Sequence, residues 1–115
     1  MLGRRSALPS ETEIQAARAE VVNLARRVLS GDLSILLAAR ELSRLRFSVG
    51  GDEWDPDFIQ FVAIDSETDH LPVGQARQHW ASEALVEKDE EIARAEAWAR
   101  DGGLTACQRL LDRFG

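Results

Sequence analysis

The chain has 115 residues, of which 44% are hydrophobic, and this suits a single domain that buries its own core. Its 20 acidic and 14 basic residues leave a net charge of −6, which disfavours nucleic-acid partners. A single cysteine, Cys107, excludes an internal disulfide and points to a reducing compartment. The longest purely apolar run, 35–39, is far too short to cross a membrane. We therefore expect a soluble, cytoplasmic protein.

The first predicted helix follows a leader, residues 1–9, which we expect to be flexible. The sequence Ser10-Glu11-Thr12-Glu13 is a capping box, in which the serine and the glutamate each satisfy a free amide of the first turn. Apolar residues then recur at helical spacing to about Leu29. Gly31 supplies a left-handed stop, and Asp32 is placed to cap the next helix. So short a connection predicts two antiparallel neighbouring helices.

The second predicted helix reaches about Arg46 and turns its alanines and leucines inward, with Arg40 and Arg44 facing outward. Residues 47–53, which include Gly50-Gly51, form the clearest loop. Trp54 is expected to pack over the first turn of the following helix as a staple residue. Exposure of Trp54 as a recognition anchor is the alternative.

The third predicted element begins at Asp55-Pro56-Asp57, where Asp55 can cap and proline takes the first helical position. The apolar residues of 58–64 surround a helix almost completely, which favours a central, buried helix over the alternative of a short buried strand. On the helical interpretation Asp65 lies at the edge of this apolar cluster and requires a partner. Arg77 is the nearest candidate in sequence.

The last part of the chain is predicted to be mostly helical. Leu71-Pro72 ends the third helix, and one or two turns follow in Val73–Trp80. Ser82 caps a long helix that runs, continuous or kinked, across Gly102-Gly103 to about residue 112, because the apolar spacing keeps its phase there. The predicted fold is all-α: residues 10–115 form one small bundle of four to five helices with a long C-terminal helix.

The charge is uneven along the chain. Residues 1–46 carry eight arginines against five acids, whereas residues 47–115 carry six basic residues against fifteen acids. Seven acids fall within 52–69, a stretch that contains no lysine or arginine. A solvated loop explains such a stretch, but so does a surface for a basic partner. The acids are Asp52, Glu53, Asp55, Asp57, Asp65, Glu67 and Asp69.

Most known chemical motifs are absent from the sequence. Asp65-x-Glu67-x-Asp69 resembles the start of a calcium loop, but His70 replaces the required glycine and Ala76 the final glutamate, so an EF-hand is excluded. There is no Walker loop, dinucleotide fingerprint, HExxH motif or cysteine pair, and we predict no cofactor. Two histidines nine residues apart leave one alternative, a mixed oxygen and nitrogen metal site. Its ligands would be Asp65, Asp69, His70 and His79.

The segment Ile64 to Pro72, with the sequence IDSETDHLP, resembles a group of short bacterial proteins of unknown function. The acid-Pro-Asp-Phe start at 55–58 and the downstream Trp80 belong to the same likeness, which extends from the second helix to the C-terminus. The resemblance implies a bacterial cytoplasmic protein with a helical fold. It also implies an uninterrupted last helix, but it carries no activity, ligand or catalytic residue.

Two functions remain open from the sequence. The first is a protein-binding module, of the kind by which a small immunity protein neutralises a basic toxin, and it predicts no catalytic residue. The second is a metal-dependent enzyme or metal-binding protein that uses the carboxylates and histidines of 65–79. Binding is preferred because it needs only surface charge and an exposed anchor. The predicted binding residues are Asp52, Glu53, Trp54, Asp55, Asp57, Glu67 and Asp69.

Overall fold

The computed structural model describes residues 8–115, except for the side chains of residues 75 and 76. Throughout this range the chain is helical and contains no strand, so the predicted all-α fold is confirmed. Most of the predicted leader lies outside the described residues. The elements are α1 (Glu11–Leu29), α2 (Ile35–Leu45), α3 (Pro56–Thr68), a 3₁₀ helix (Gly74–His79) and α4 (Ser82–Phe114).

The ends of α1 follow the sequence closely. The Oγ of Ser10 accepts from the Glu13 amide at 3.1 Å, and the Ser10 amide donates to the Glu13 carboxylate at 2.7 Å, which completes the capping box. Gly31 has a φ of 82°, as a left-handed stop requires. Asp32 does not cap α2. Ser34 does, since its Oγ accepts from the Leu36 amide at 3.1 Å, while Asp32 pairs with Arg27 at 2.9 Å.

The core is organised around α2, which packs against each of the other three α-helices. Its inward face is fully buried, and Ala38 and Ala39 let neighbouring backbones approach closely. The predicted stripe of α1 packs on this face. The fully buried side chains of α2 are Ile35, Leu36, Ala38, Ala39 and Leu42.

Helix α3 is buried along one side and not all round, contrary to the sequence prediction. Phe58, Phe61 and Ile64 are buried, whereas Ile59 and Val62 are only half-buried. The reason is that no helix covers the remaining side of α3 in the described chain, where α2 and α4 are its main neighbours. Part of the side of α3 is therefore open to solvent.

Helix α4 bends at Asp101 and Gly102, where the backbone leaves helical geometry and Gly102 takes a φ of 91°. The predicted kink is confirmed, and only glycine adopts this conformation without strain. The bend lets the two halves of α4 follow different neighbours, with Phe114 near Phe58 at one end and Ala99 buried in the core further back. At the start of α4 the prediction was wrong by one residue: Ala81 occupies the cap position, with no side-chain bond.

Within residues 8–115, no helix combines the length and the apolar character that a membrane span requires.

Replacing Gly103 by alanine should destabilise the fold. A Cβ at this position would overlap the Cδ1 of Ile35, whose side chain is completely buried and cannot move aside freely. Overpacking of this kind costs about 1–3 kcal/mol. Gly51→Ala is the matched control, because its Cβ would meet only ordinary contacts, the nearest at 3.5 Å. Urea denaturation should separate the two variants, and equal midpoints would contradict the close approach of α2 and α4.

Candidate functional site

The acids at the N-terminal end of α3 have structural partners. Asp55 is the N-cap, and its Oδ1 accepts from the Asp57 amide at 3.0 Å. From the end of α4, Arg113 reaches Asp55 at 2.6 Å and Asp57 at 3.0 Å. Both carboxylates also lie at the positive end of the helix dipole, where negative charge is favourable. Only 10% of the Asp55 side chain is exposed, so it is unavailable to a partner.

Arg113 thus supplies a cation to an acidic stretch that has none in its own sequence. Partial burial alone would lower the pKa of Arg113, but its hydrogen bonds to Asp55 and Asp57 raise that pKa above the usual range. The acids at this end of α3 are therefore compensated, by a charge that lies more than 50 residues away in sequence.

Asp55→Ala should lower the free energy of unfolding by about 1–3 kcal/mol, since it removes the cap and strands Arg113. The free energy of unfolding of Asp55→Asn should lie between that of Asp55→Ala and that of the wild type. The amide oxygen of asparagine can still cap the helix, but the charge that pairs with Arg113 is lost. Glu53→Ala, an exposed neighbour, should change stability little. Chemical denaturation should rank the three variants by stability. An unchanged midpoint for Asp55→Ala would contradict a structural role of Asp55.

Trp54 does not pack on the helix it precedes. Its side chain is 68% exposed, so the staple prediction is wrong. Its backbone amide donates to the Asp52 carboxylate at 2.9 Å, and the Asp55 amide donates to the Asp52 carbonyl at 3.0 Å. This turn directs the indole toward solvent. Asp52, Glu53 and Trp54 therefore form an exposed tip, which we call the Trp54 turn.

At the C-terminal end of α3, the cation that meets the chain is Arg40 and not Arg77. Arg40 approaches Asp65 at 3.9 Å and donates to the carbonyls of Thr68 at 2.8 Å and Leu71 at 3.1 Å. Its predicted outward orientation is wrong, because the free carbonyls at the end of a helix attract a donor. Arg77 instead pairs with Asp89 of α4 at 2.6 Å.

Glu67 and Asp69 remain exposed at this end, with no side-chain partner among the described residues. All residues of the last turn of α3 are described by the structure, and none of them is basic. Carboxylates here face the negative end of the helix dipole, which opposes them by about 0.3–1 kcal/mol each. The two ends of α3 are thus electrostatically opposite, and 13 residues at 1.5 Å each place them roughly 20 Å apart.

A groove of about 260 Å³ opens beside this acidic end, between α3, the following turn and α4. Its lining includes the buried Leu71, the half-buried Ala95 and Trp98, which is 52% exposed. We call it the Trp98 groove. Its lining residues are Glu67, Thr68, His70, Leu71, Glu91, Arg94, Ala95 and Trp98.

Glu91 anchors the polar side of the groove. Its Oε2 lies 2.8 Å from the Nε2 of His70, and its Oε1 accepts from the Nζ of Lys88 at 3.2 Å. The hydrogen bond with His70, and then that with Lys88, holds the pKa of Glu91 below its ordinary value. Arg94 also lines the groove but has no ion-pair partner in the described part of the chain.

The metal alternative finds no supporting geometry. His70 is engaged with Glu91, Asp65 faces Arg40, and His79 is an exposed residue at the end of the 3₁₀ helix. Among residues 8–115, no three histidine, cysteine, aspartate or glutamate side chains come together as metal ligands would. Cys107 is buried, and this burial raises the pKa of its thiol to about 11, so it remains a protonated packing residue.

No protein-family model, curated protein or solved structure gives a significant match to this chain. The resemblance to short bacterial proteins therefore remains a prediction. The exposed acids near α3 are those of the Trp54 turn, before the helix, and Glu67 and Asp69 at its C-terminal end.

Sequence reasoning missed the α4 contribution to the groove. Glu91, Arg94, Ala95 and Trp98 follow one another at intervals of three, one and three residues, and this places them along one face of a helix. That spacing was visible in the sequence. The sequence did not show which residues lie opposite this face. The opposite wall consists of residues 67–71, which the packing of α3 on α4 brings there.

Acid should loosen the first half of α4 from the segment before it. The pKa of Asp89 is lowered by its hydrogen bond with Arg77, as that of Glu91 is by His70. A carboxylate whose folded pKa is depressed stabilises the fold above its unfolded pKa, and this contribution is lost as pH falls through the folded value. Backbone NMR shifts of residues 82–92 should therefore move below about pH 4.

The control for this titration is Glu91→Gln, Asp89→Asn. Its shifts at neutral pH should already resemble those of the wild type in acid, and they should change less on acidification. Identical titration curves for the two proteins would contradict the role of these ion pairs.

Proposed function

We propose that this chain is a protein-binding domain that captures a basic protein, with the acidic C-terminal end of α3 at the centre of its binding surface. The observation that carries the proposal is the position of Glu67 and Asp69, exposed and unpaired in the described chain, at the helix end that disfavours negative charge. Cations of a partner would relieve this repulsion. The exposed Trp98 beside it offers the kind of aromatic anchor that dominates binding energy at interfaces.

The Trp54 turn is a second contact in this proposal. Asp52 and Glu53 are exposed in the turn that presents the indole, whereas Asp55 and Asp57 are held by Arg113. A partner that touched both ends of α3 would span roughly 20 Å, well within an interface of ordinary size. A small cationic enzyme fits, as in neutralisation of a toxin by an immunity protein, because dense negative charge accelerates the approach of a positive surface.

Affinity capture from the native lysate, followed by mass spectrometry, tests this function. The double variant Glu67→Gln, Asp69→Asn should lose most of the basic protein that the wild type retains, since both side chains keep their size and lose their charge. Asp52→Asn, Glu53→Gln should lose less. Capture by the wild type should weaken as salt rises through about 0.1–0.5 M, as expected for exposed charges.

Glu20→Gln is the matched control, because Glu20 is equally exposed but lies on α1, away from both ends of α3. It should capture as the wild type does. Thermal stability should be unchanged or slightly higher in Glu67→Gln, Asp69→Asn, which would rule out misfolding as the cause of lost capture. Retention of every wild-type partner by this variant, at equal strength in rising salt, would refute the proposal.

A further inference from the structure

The Trp98 groove has an aromatic wall that nothing in the described chain occupies. Arg18, Arg46 and Arg113 all lie over phenylalanine rings, but no cation lies over Trp98. Tryptophan is the side chain whose face binds cations best. The buried Leu71 adds apolar surface to the same lining.

The charges around the groove favour a positive group. Glu67 of α3 is unpaired in the described chain, and Glu91 of α4 carries two hydrogen bonds, from its partners His70 and Lys88. The C-terminal end of α3 adds a negative potential, which Arg40 offsets only in part through its bonds to the carbonyls of Thr68 and Leu71. Arg94 is the one lining residue that opposes this, since His70 already faces Glu91.

The volume of the groove limits what can occupy it. Sites for small organic ligands usually span roughly 300–1,000 Å³. At about 260 Å³ this groove falls just below that range and suits a single long side chain of a partner. Arginine fits better than lysine, because its planar guanidinium can stack on an indole while it donates to a carboxylate in the same plane.

We infer that the Trp98 groove receives an arginine side chain of the basic partner, stacked on Trp98 and donating to Glu67. This inference rests on the proposed protein-binding function and specifies its chemistry. Arg94, which also lines the groove, repels any cation that enters and so limits the affinity for arginine.

The test uses the intact protein and N-acetyl-arginine amide as the probe, followed through the three tryptophan indole N–H signals in NMR. The Trp98 signal should shift in a saturable way with a dissociation constant of roughly 1 mM, as expected for one side chain. Trp54 and Trp80 are internal controls and should shift little. N-acetyl-citrulline amide has the same shape without the charge and should bind at least about five-fold more weakly. N-acetyl-glutamate amide should not bind.

Two single variants test whether the groove prefers a positive or a negative ligand. Glu67→Gln should weaken arginine binding about two- to five-fold, and Arg94→Gln should strengthen it by a similar factor, because each removes one charge from the lining. Glu20→Gln should leave it unchanged. An anion site would give the reverse order for the first two variants and would overturn the inference.

Failure of this inference and failure of the proposed function give different results. A silent Trp98 signal, together with lysate capture that survives Trp98→Ala but is lost in Glu67→Gln, Asp69→Asn, would refute the arginine site and leave the binding function standing. Equal shifts with arginine and citrulline would also refute it, since the groove would then select shape and not charge. Arginine binding at Trp98, with capture lost in both Glu67→Gln and Trp98→Ala, would support both.

Discussion

The close approach of α2 to α4 at Ile35 and Gly103 is the constraint on which the rest of the fold depends. Gly103 leaves room for the Ile35 side chain, and Gly102 turns the backbone beside it. The bend therefore sets where Arg113 and Trp98, on opposite sides of it, meet the two ends of α3.

The two ends of α3 place the acids of one sequence stretch in opposite electrostatic surroundings. At the N-terminus the helix dipole, the capping geometry of Asp55 and the cation of Arg113 all favour the carboxylates, so these acids stabilise the fold. At the C-terminus the dipole opposes them, and Arg40 meets only Asp65 and the helix carbonyls. Glu67 and Asp69 are left exposed there, with no side-chain partner among the described residues.

The proposed site combines residues that sequence reasoning could find with residues that it could not. Glu67 and Asp69 belong to a dense acidic stretch and were candidates from the start. Trp98 and Arg94 lie in a helix whose sequence pattern is that of an ordinary surface helix. Their role follows from the chain folding back so that α4 runs beside α3, because side chains about 30 residues apart in sequence then share one groove.

Sequence by itself determined the elements that depend on local interactions: the capping box at Ser10 and Glu13, the glycine stop at Gly31 and the proline start of α3. Each of these involves atoms only a few residues apart, so local chemistry is sufficient. Only the tertiary structure decided which cation meets which carboxylate. Nearness in sequence suggested Arg77 as the partner of Asp65, but Arg77 pairs with Asp89. Arg40 lies beside Asp65 because α2 packs against α3.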